Sequence, residues 1–154
     1  MWARRVVVFA LASCVLLPLG GCGGSSQGNQ PKLVPVSGSI TLDGKAASGV
    51  MVSFVPTGQT RGEGGNAVTD SAGRYELKTR GVKAGIPAGE YRVTCQRLVM
   101  PDGSVFDPAK GVSPHESGAK QVLPPAYSDA QQTTLKATVT DKGGTFDFGV
   151  KSGS

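Results

Sequence analysis

An all-β sandwich of about seven strands is the fold this sequence predicts. Three observations carry that expectation. From residue 33 onward apolar side chains recur at every second position, turn residues separate these runs, and apolar stripes of helical period are absent over any useful length.

Taken in order, Val34, Val36, Ile40 and Leu42 alternate with Pro35, Ser37, Ser39 and Thr41. Val50, Val52 and Phe54 alternate with Met51, Ser53 and Val55, and Tyr75 and Leu77 stand between Arg74, Glu76 and Lys78. A further strand is expected from Tyr91 to Leu98. Leu135, Ala137 and Val139, then Phe146, Phe148 and Val150, close the series. A side chain on every second position faces the same side of a pleated strand, so each run presents one apolar and one wetted face. A single sheet would leave its apolar face uncovered, and two sheets must therefore stack.

The turns agree. Asp43-Gly44 is a two-residue hairpin signal after the first strand. In Asp70-Ser71-Ala72-Gly73 the carboxylate is placed to accept from backbone N–H groups two or three residues on, and Gly73 supplies a positive φ. The alternating oxygen ligands of a calcium loop are missing there.

One segment breaks the rhythm. Residues 100–133 form a long loop with Pro101, Pro108, Pro114, Pro124 and Pro125 and with Gly103, Gly111 and Gly118 among them. Long loops in compact domains are commonly functional or disordered. This one holds the only histidine, His115, beside Glu116, with Asp102 and Asp107 upstream and the aromatics Phe106 and Tyr127. His115-Glu116 reads as a solvated loop tip, with contact to a partner or a divalent cation as the sharper alternative. Tyr127, after two prolines, reads as a plug for the sandwich edge, with ligand contact the alternative.

At the other end of the chain, Arg4 and Arg5 precede an apolar run, Val6 to Leu17, that is too short to span a bilayer. Pro18-Leu19-Gly20-Gly21 then leads to Cys22. Positive start, apolar middle and small residues before a cut match a secretory signal peptide, and Gly20-Gly21 would also suit the cut of a freely secreted product. Leu19-Gly20-Gly21-Cys22 resembles the lipobox of bacterial lipoproteins. The resemblance implies cleavage between Gly21 and Cys22, diacylglycerol on the Cys22 thiol, acylation of the new amino terminus, and a membrane partner held through that lipid. Gly23 stands where an acidic residue retains some lipoproteins in the inner membrane, so the resemblance favours the outer membrane. The following tract, Gly23 to Gln30, is polar and glycine-rich and reads as a flexible tether. The expected organisation is a signal peptide at 1–21, lipidated cysteine and tether at 22–33, and one β domain at 34–151.

Charge and cysteines narrow the rest. The formal net charge of +5 falls by two when Arg4 and Arg5 leave, and the remaining bases are scattered, so no nucleic-acid partner is expected. Cys14 departs with the leader and Cys22 is consumed by lipid, which leaves Cys95 with no intramolecular partner. It shares a strand face with Tyr91 and Val93 and reads as a small buried apolar residue.

Beyond the anchor, Val36-Ser37-Gly38-Ser39-Ile40-Thr41-Leu42-Asp43-Gly44-Lys45, Thr69-Asp70-Ser71-Ala72-Gly73-Arg74-Tyr75-Glu76-Leu77 and Gly85-Ile86-Pro87-Ala88-Gly89-Glu90-Tyr91-Arg92-Val93 resemble the strands and hairpins of carboxypeptidase regulatory-like domains. With the lipobox and Leu123-Pro124-Pro125-Ala126-Tyr127, the layout is similar to small lipoproteins of planctomycete type. This resemblance, over roughly residues 34–150, implies a transthyretin-like (prealbumin-like), broadly immunoglobulin-like sandwich serving as a non-catalytic module. The matching positions are turns and core, which say little about function.

Enzymes of this architecture need more than the chain offers. One histidine is too few for transthyretin-like hydroxyisourate hydrolases or for the iron site of intradiol dioxygenases, and His115 with Cys95 falls short of a zinc ligand set. No cofactor or metal is expected. Ser113 and Asp107 near His115 keep a small hydrolase as a second alternative. The leading expectation is a non-enzymatic envelope lipoprotein whose domain binds or supports another envelope component, protein or glycan. A carbohydrate-binding module using Phe106 or Tyr127 is the first alternative.

Overall fold

The computed structural model describes residues 31–79, 82–107 and 110–153. The expected signal peptide, the expected cut between Gly21 and Cys22, the expected lipidation of Cys22 and the tract to Gln30 all fall outside the described residues, as do Arg80 and Pro108.

The described chain is all-β, with a six-stranded and a five-stranded sheet in two packed layers and two further two-stranded pairs beside them. In chain order they are β1 (Leu33–Val34), β2 (Val36–Leu42), β3 (Lys45–Ala46), β4 (Met51–Thr57), β5 (Gly65–Val68), β6 (Arg74–Glu76), β7 (Lys78–Thr79) and β8 (Lys83–Ala84). There follow β9 (Ile86–Pro87), β10 (Gly89–Gln96), β11 (Leu98–Val99), α1 (Pro114–Ser117), β12 (Lys120–Gln121), α2 (Pro125–Ser128), β13 (Lys136–Val139), β14 (Gly144–Thr145) and β15 (Phe148–Val150). One layer is an antiparallel sheet in the order β13-β10-β4-β5-β7-β8. In the other, β2 is central, with β14 and β15 parallel along one edge and β3 and β6 antiparallel along the other.

The predicted alternation places the core. Val50, Val52, Phe54, Tyr91, Val93, Cys95, Ala137 and Val139 come from the first layer, and Val36, Ile40, Tyr75 and Val150 from the second; all are buried. Phe54 sits at the centre, its ring 5.9 Å from those of Tyr91 and Phe146 and within 6.4 Å of Tyr75 and Phe148. Such tilted and edge-on pairs each add about 0.5–1.5 kcal/mol beyond the area they bury.

The Asp43-Gly44 turn is as expected, and the Asp70 carboxylate reaches one residue further than expected. Asp43 and Gly44 both have positive φ, 51° and 82°, which joins β2 to β3 in a two-residue hairpin. Asp70 Oδ1 accepts from Ala72 N–H at 2.8 Å and from Arg74 N–H at 2.9 Å, two and four residues on, and Gly73 has φ +73°. The last strand is interrupted at Phe146-Asp147, and there the Asp147 carboxylate stands in for a backbone acceptor by taking Ser39 N–H at 2.8 Å.

Two expectations need correction. Helices were not predicted, yet α1 and α2 are present, each a single turn. Both lie in the segment read as a long loop, 100–133, which also contains β12. Pro114 and Pro125 account for them, because proline's fixed φ and missing N–H suit the first helical residue.

Candidate functional site

The segment after β10 is built over the outer face of the first sheet. Its start and finish are pinned by Gln121, whose Oε1 accepts from the backbone N–H of Arg97 (2.8 Å), Val122 (3.1 Å) and Leu123 (3.2 Å). β11 and β12 pair antiparallel, and Leu123 drops into the core. Between them the chain turns at Gly103, where Asp102 Oδ1 accepts from the Ser104 N–H and hydroxyl at 2.9 and 2.6 Å. Those bonds hold the Asp102 carboxyl below its usual range. Phe106 N–H then donates to Leu98 O at 2.9 Å, which returns Phe106 to the sheet.

α1 is fixed by a capping box: Ser113 Oγ accepts from Glu116 N–H at 3.3 Å, Glu116 Oε2 accepts from Ser113 N–H at 3.3 Å, and the Ser113 hydroxyl also donates to Glu116 Oε2 at 2.7 Å. The Ser113 bonds lower the Glu116 pKa. α2 packs on β10. There Arg92 Nη1 donates to Ala130 O at 3.0 Å, and the Thr133 hydroxyl donates to Val93 O at 2.6 Å. Thr94, on the outward face of β10, is consequently buried.

An apolar groove of about 200 Å³ remains between this cover and the sheet. Gln96, Met51 and Val68 are in register across β10, β4 and β5 and form its floor. Leu98, Phe106, Val112 and Pro114 form the wall. Gly49 closes one side. Its φ is +67° and a Cβ there would run into the Val105 side chain, so only glycine lets Val105 settle. Val68 and Val112 stay 54% and 46% exposed, unusually open for apolar residues on one wall-and-floor pair. The lining suits an apolar or aromatic group; its one polar side chain, Gln96, donates from Nε2 to Ser128 O at 3.5 Å.

Of the residues proposed from sequence, Phe106 lines this groove; His115 and Glu116 follow the lining residue Pro114 in α1 and are not themselves in the lining. His115 is exposed, and Glu116 is engaged by the Ser113 cap. The Ser113 hydroxyl thus caps a helix. Tyr127 is separate, partly buried against the core from α2. Cys95 is fully buried, and burial pushes its thiol up to about 12. Among the described residues no group of three or more His, Cys, Asp or Glu side chains is placed to hold a metal ion. Sequence reasoning missed Met51, Val68, Leu98 and Val112 as groove residues. The available signal was apolar residues at the outward positions of β4 and β5, where a solvated face calls for polar ones.

No family model and no curated protein matches the chain. Among solved structures it is similar to BcpA, the major pilin subunit of Bacillus cereus, in a variant form (TM-score 0.44, 12% identity, 80% of this chain and 31% of that one) and in a second crystal structure (0.40, 11%, 79% and 30%). It is also similar to a 9R-lipoxygenase from Cyanothece PCC8801 (0.35, 18%, 77% and 16%). The chain therefore spans less than a third of the length of each of these proteins, and the likeness is partial. The all-β two-layer architecture stands on the chain's own strand pairing.

Proposed function

We propose that this chain is a non-enzymatic lipoprotein of the bacterial cell envelope, of the carboxypeptidase regulatory-like kind, whose sandwich holds or contacts another envelope component. The lipobox at Leu19 to Cys22 supports the anchor. One observation supports the binding role: the described parts of the inserted segment cover the sheet and leave an open apolar groove lined by Phe106, with Val68 and Val112 exposed at its edge. A preformed groove on a rigid platform suits a binding module.

Photo-crosslinking of the intact lipoprotein in its native envelope, with a benzophenone side chain at Val112, tests this reading. A discrete adduct that is lost on Phe106→Ala supports it; no adduct above that from a probe at Lys45 contradicts it. A glycan partner is the reading in which Phe106 stacks on a sugar ring. It predicts glycan-array binding that disappears with Phe106→Ala.

A further inference from the structure

A second cleft, of about 400 Å³, lies at the opposite end of β4 and β10 from the groove. Pro31, Leu33, Gly62, Val82, Lys83 and Pro87 line it, with Glu63 on the same wall. Gly62 is pressed close to the rings of Pro31 and Pro87, and Leu33 pairs with Pro87 through β1 and β9. The site is therefore built where the amino-terminal segment enters the domain.

Three features of this end belong together. Val82 is 82% exposed, more than Val55, Val68 or Val112, the other large apolar side chains on the described surface. Exposed Lys32, Arg61 and Lys78 each adjoin a lining residue in sequence, and Lys83 lines the cleft itself. Glu63 lies among them, and exposed Glu90, whose backbone bonds Thr60 beside Arg61, stands at the same end. Finally, Pro31 on the cleft wall stands nine positions after Cys22. A nine-residue tether spans at most about 30 Å and averages roughly 15–18 Å. The groove lies a further strand length away, about 23 Å for the seven residues of β4.

We propose that this end is a contact surface for an anionic phospholipid bilayer, with Val82 and the apolar cleft rim seated at the headgroup–acyl boundary and Lys32, Arg61, Lys78 and Lys83 on the lipid phosphates. The inference rests on the lipid-anchor reading above. Apolar tips flanked by lysines suit that interface, because the hydrocarbon leaves water while the ammonium groups stay among anionic headgroups. The domain then stands on its tethered end, and the groove faces away from the membrane.

The test uses the mature lipidated chain, which has lost the sole tryptophan, Trp2, with the leader, and carries Val82→Trp or Val112→Trp as reporter. Protein extracted from membranes is reconstituted into vesicles of phosphatidylethanolamine and phosphatidylglycerol, floated, and examined with brominated lipids. The Val82→Trp reporter should shift to the blue and be quenched, and the Val112→Trp reporter should do neither. Quenching at position 82 should be lost in 0.5 M salt on general screening grounds, and in Lys78→Glu/Lys83→Glu. Flotation without greater quenching at position 82 than at 112 overturns the inference and leaves the anchor standing. Equal quenching in phosphatidylcholine vesicles overturns the assignment to anionic headgroups. Failure to float overturns the anchor reading, and this inference with it.

Discussion

The Tyr75 hydroxyl donates to the Phe146 carbonyl at 2.7 Å, tying β6 to the break in the last strand across β2. Gly38 of β2 lies directly beneath, and a Cβ there would overlap the Phe146 carbonyl oxygen and come within 2.8 Å of the hydroxyl. Tyr75→Phe strands a carbonyl in a poorly hydrated place and should cost about 1–2 kcal/mol. Gly38→Ala must displace backbone and should cost more. Urea midpoints of the two variants at neutral pH check both the values and their order.

Alkaline pH should unfold the domain in a particular window. Burial pushes the Cys95 thiol from 9.0 up to about 12 and the Tyr91 phenol from 10.0 up to about 12, and raises Tyr75 as well. In the unfolded chain these groups release their protons at ordinary values, so above pH 9 the unfolded state binds fewer protons than the folded one. Stability is then complete below pH 9 and falls as pH climbs from 9 toward 12. Denaturation at stepped pH should show that decline, and Cys95→Ala should delay its onset to about pH 10, where the tyrosines begin.

The turn at Asp70 is expected to be fragile at two points. Asp70→Ala loses the bonds to Ala72 and Arg74 N–H, which predicts a loss of about 1 kcal/mol. Gly73→Ala places a Cβ 2.7 Å from Ile40 O at φ +73°, which predicts a loss of at least about 1–2 kcal/mol. Thermal midpoints below that of the parent, lower for Gly73→Ala, are the expected result.

Most of the fold could be read from residue order, for a physical reason. A strand with one wet face writes its burial into every second residue, as Val50, Val52 and Phe54 do. That rule fails where both faces are covered. Val93, Thr94 and Cys95 are buried consecutively because α2 and its flanks lie on the outward side, and nothing local to β10 announces a cover built some thirty residues downstream. The groove was hidden for the same reason. Met51, Val68, Leu98 and Val112 meet only through strand register and the return of the chain at Phe106. The gathering of Lys32, Arg61, Lys78 and Lys83 at one end is equally a product of topology, since in the sequence they look scattered.

The groove can be altered without harming the fold. Val112 is half exposed at its edge, so Val112→Asp should change stability by no more than about 0.5 kcal/mol. A charge in an apolar lining should nonetheless abolish occupancy by an apolar group. An unchanged thermal midpoint together with loss of the envelope crosslink is the expected pair of results.

The anchor is the central claim, and intact-mass spectrometry of the protein extracted from membranes tests it most directly. The account predicts a chain that begins at Cys22 and carries diacylglycerol and an amino-terminal acyl group. A mature chain with an unmodified Cys22 thiol, or one cut elsewhere, would contradict it.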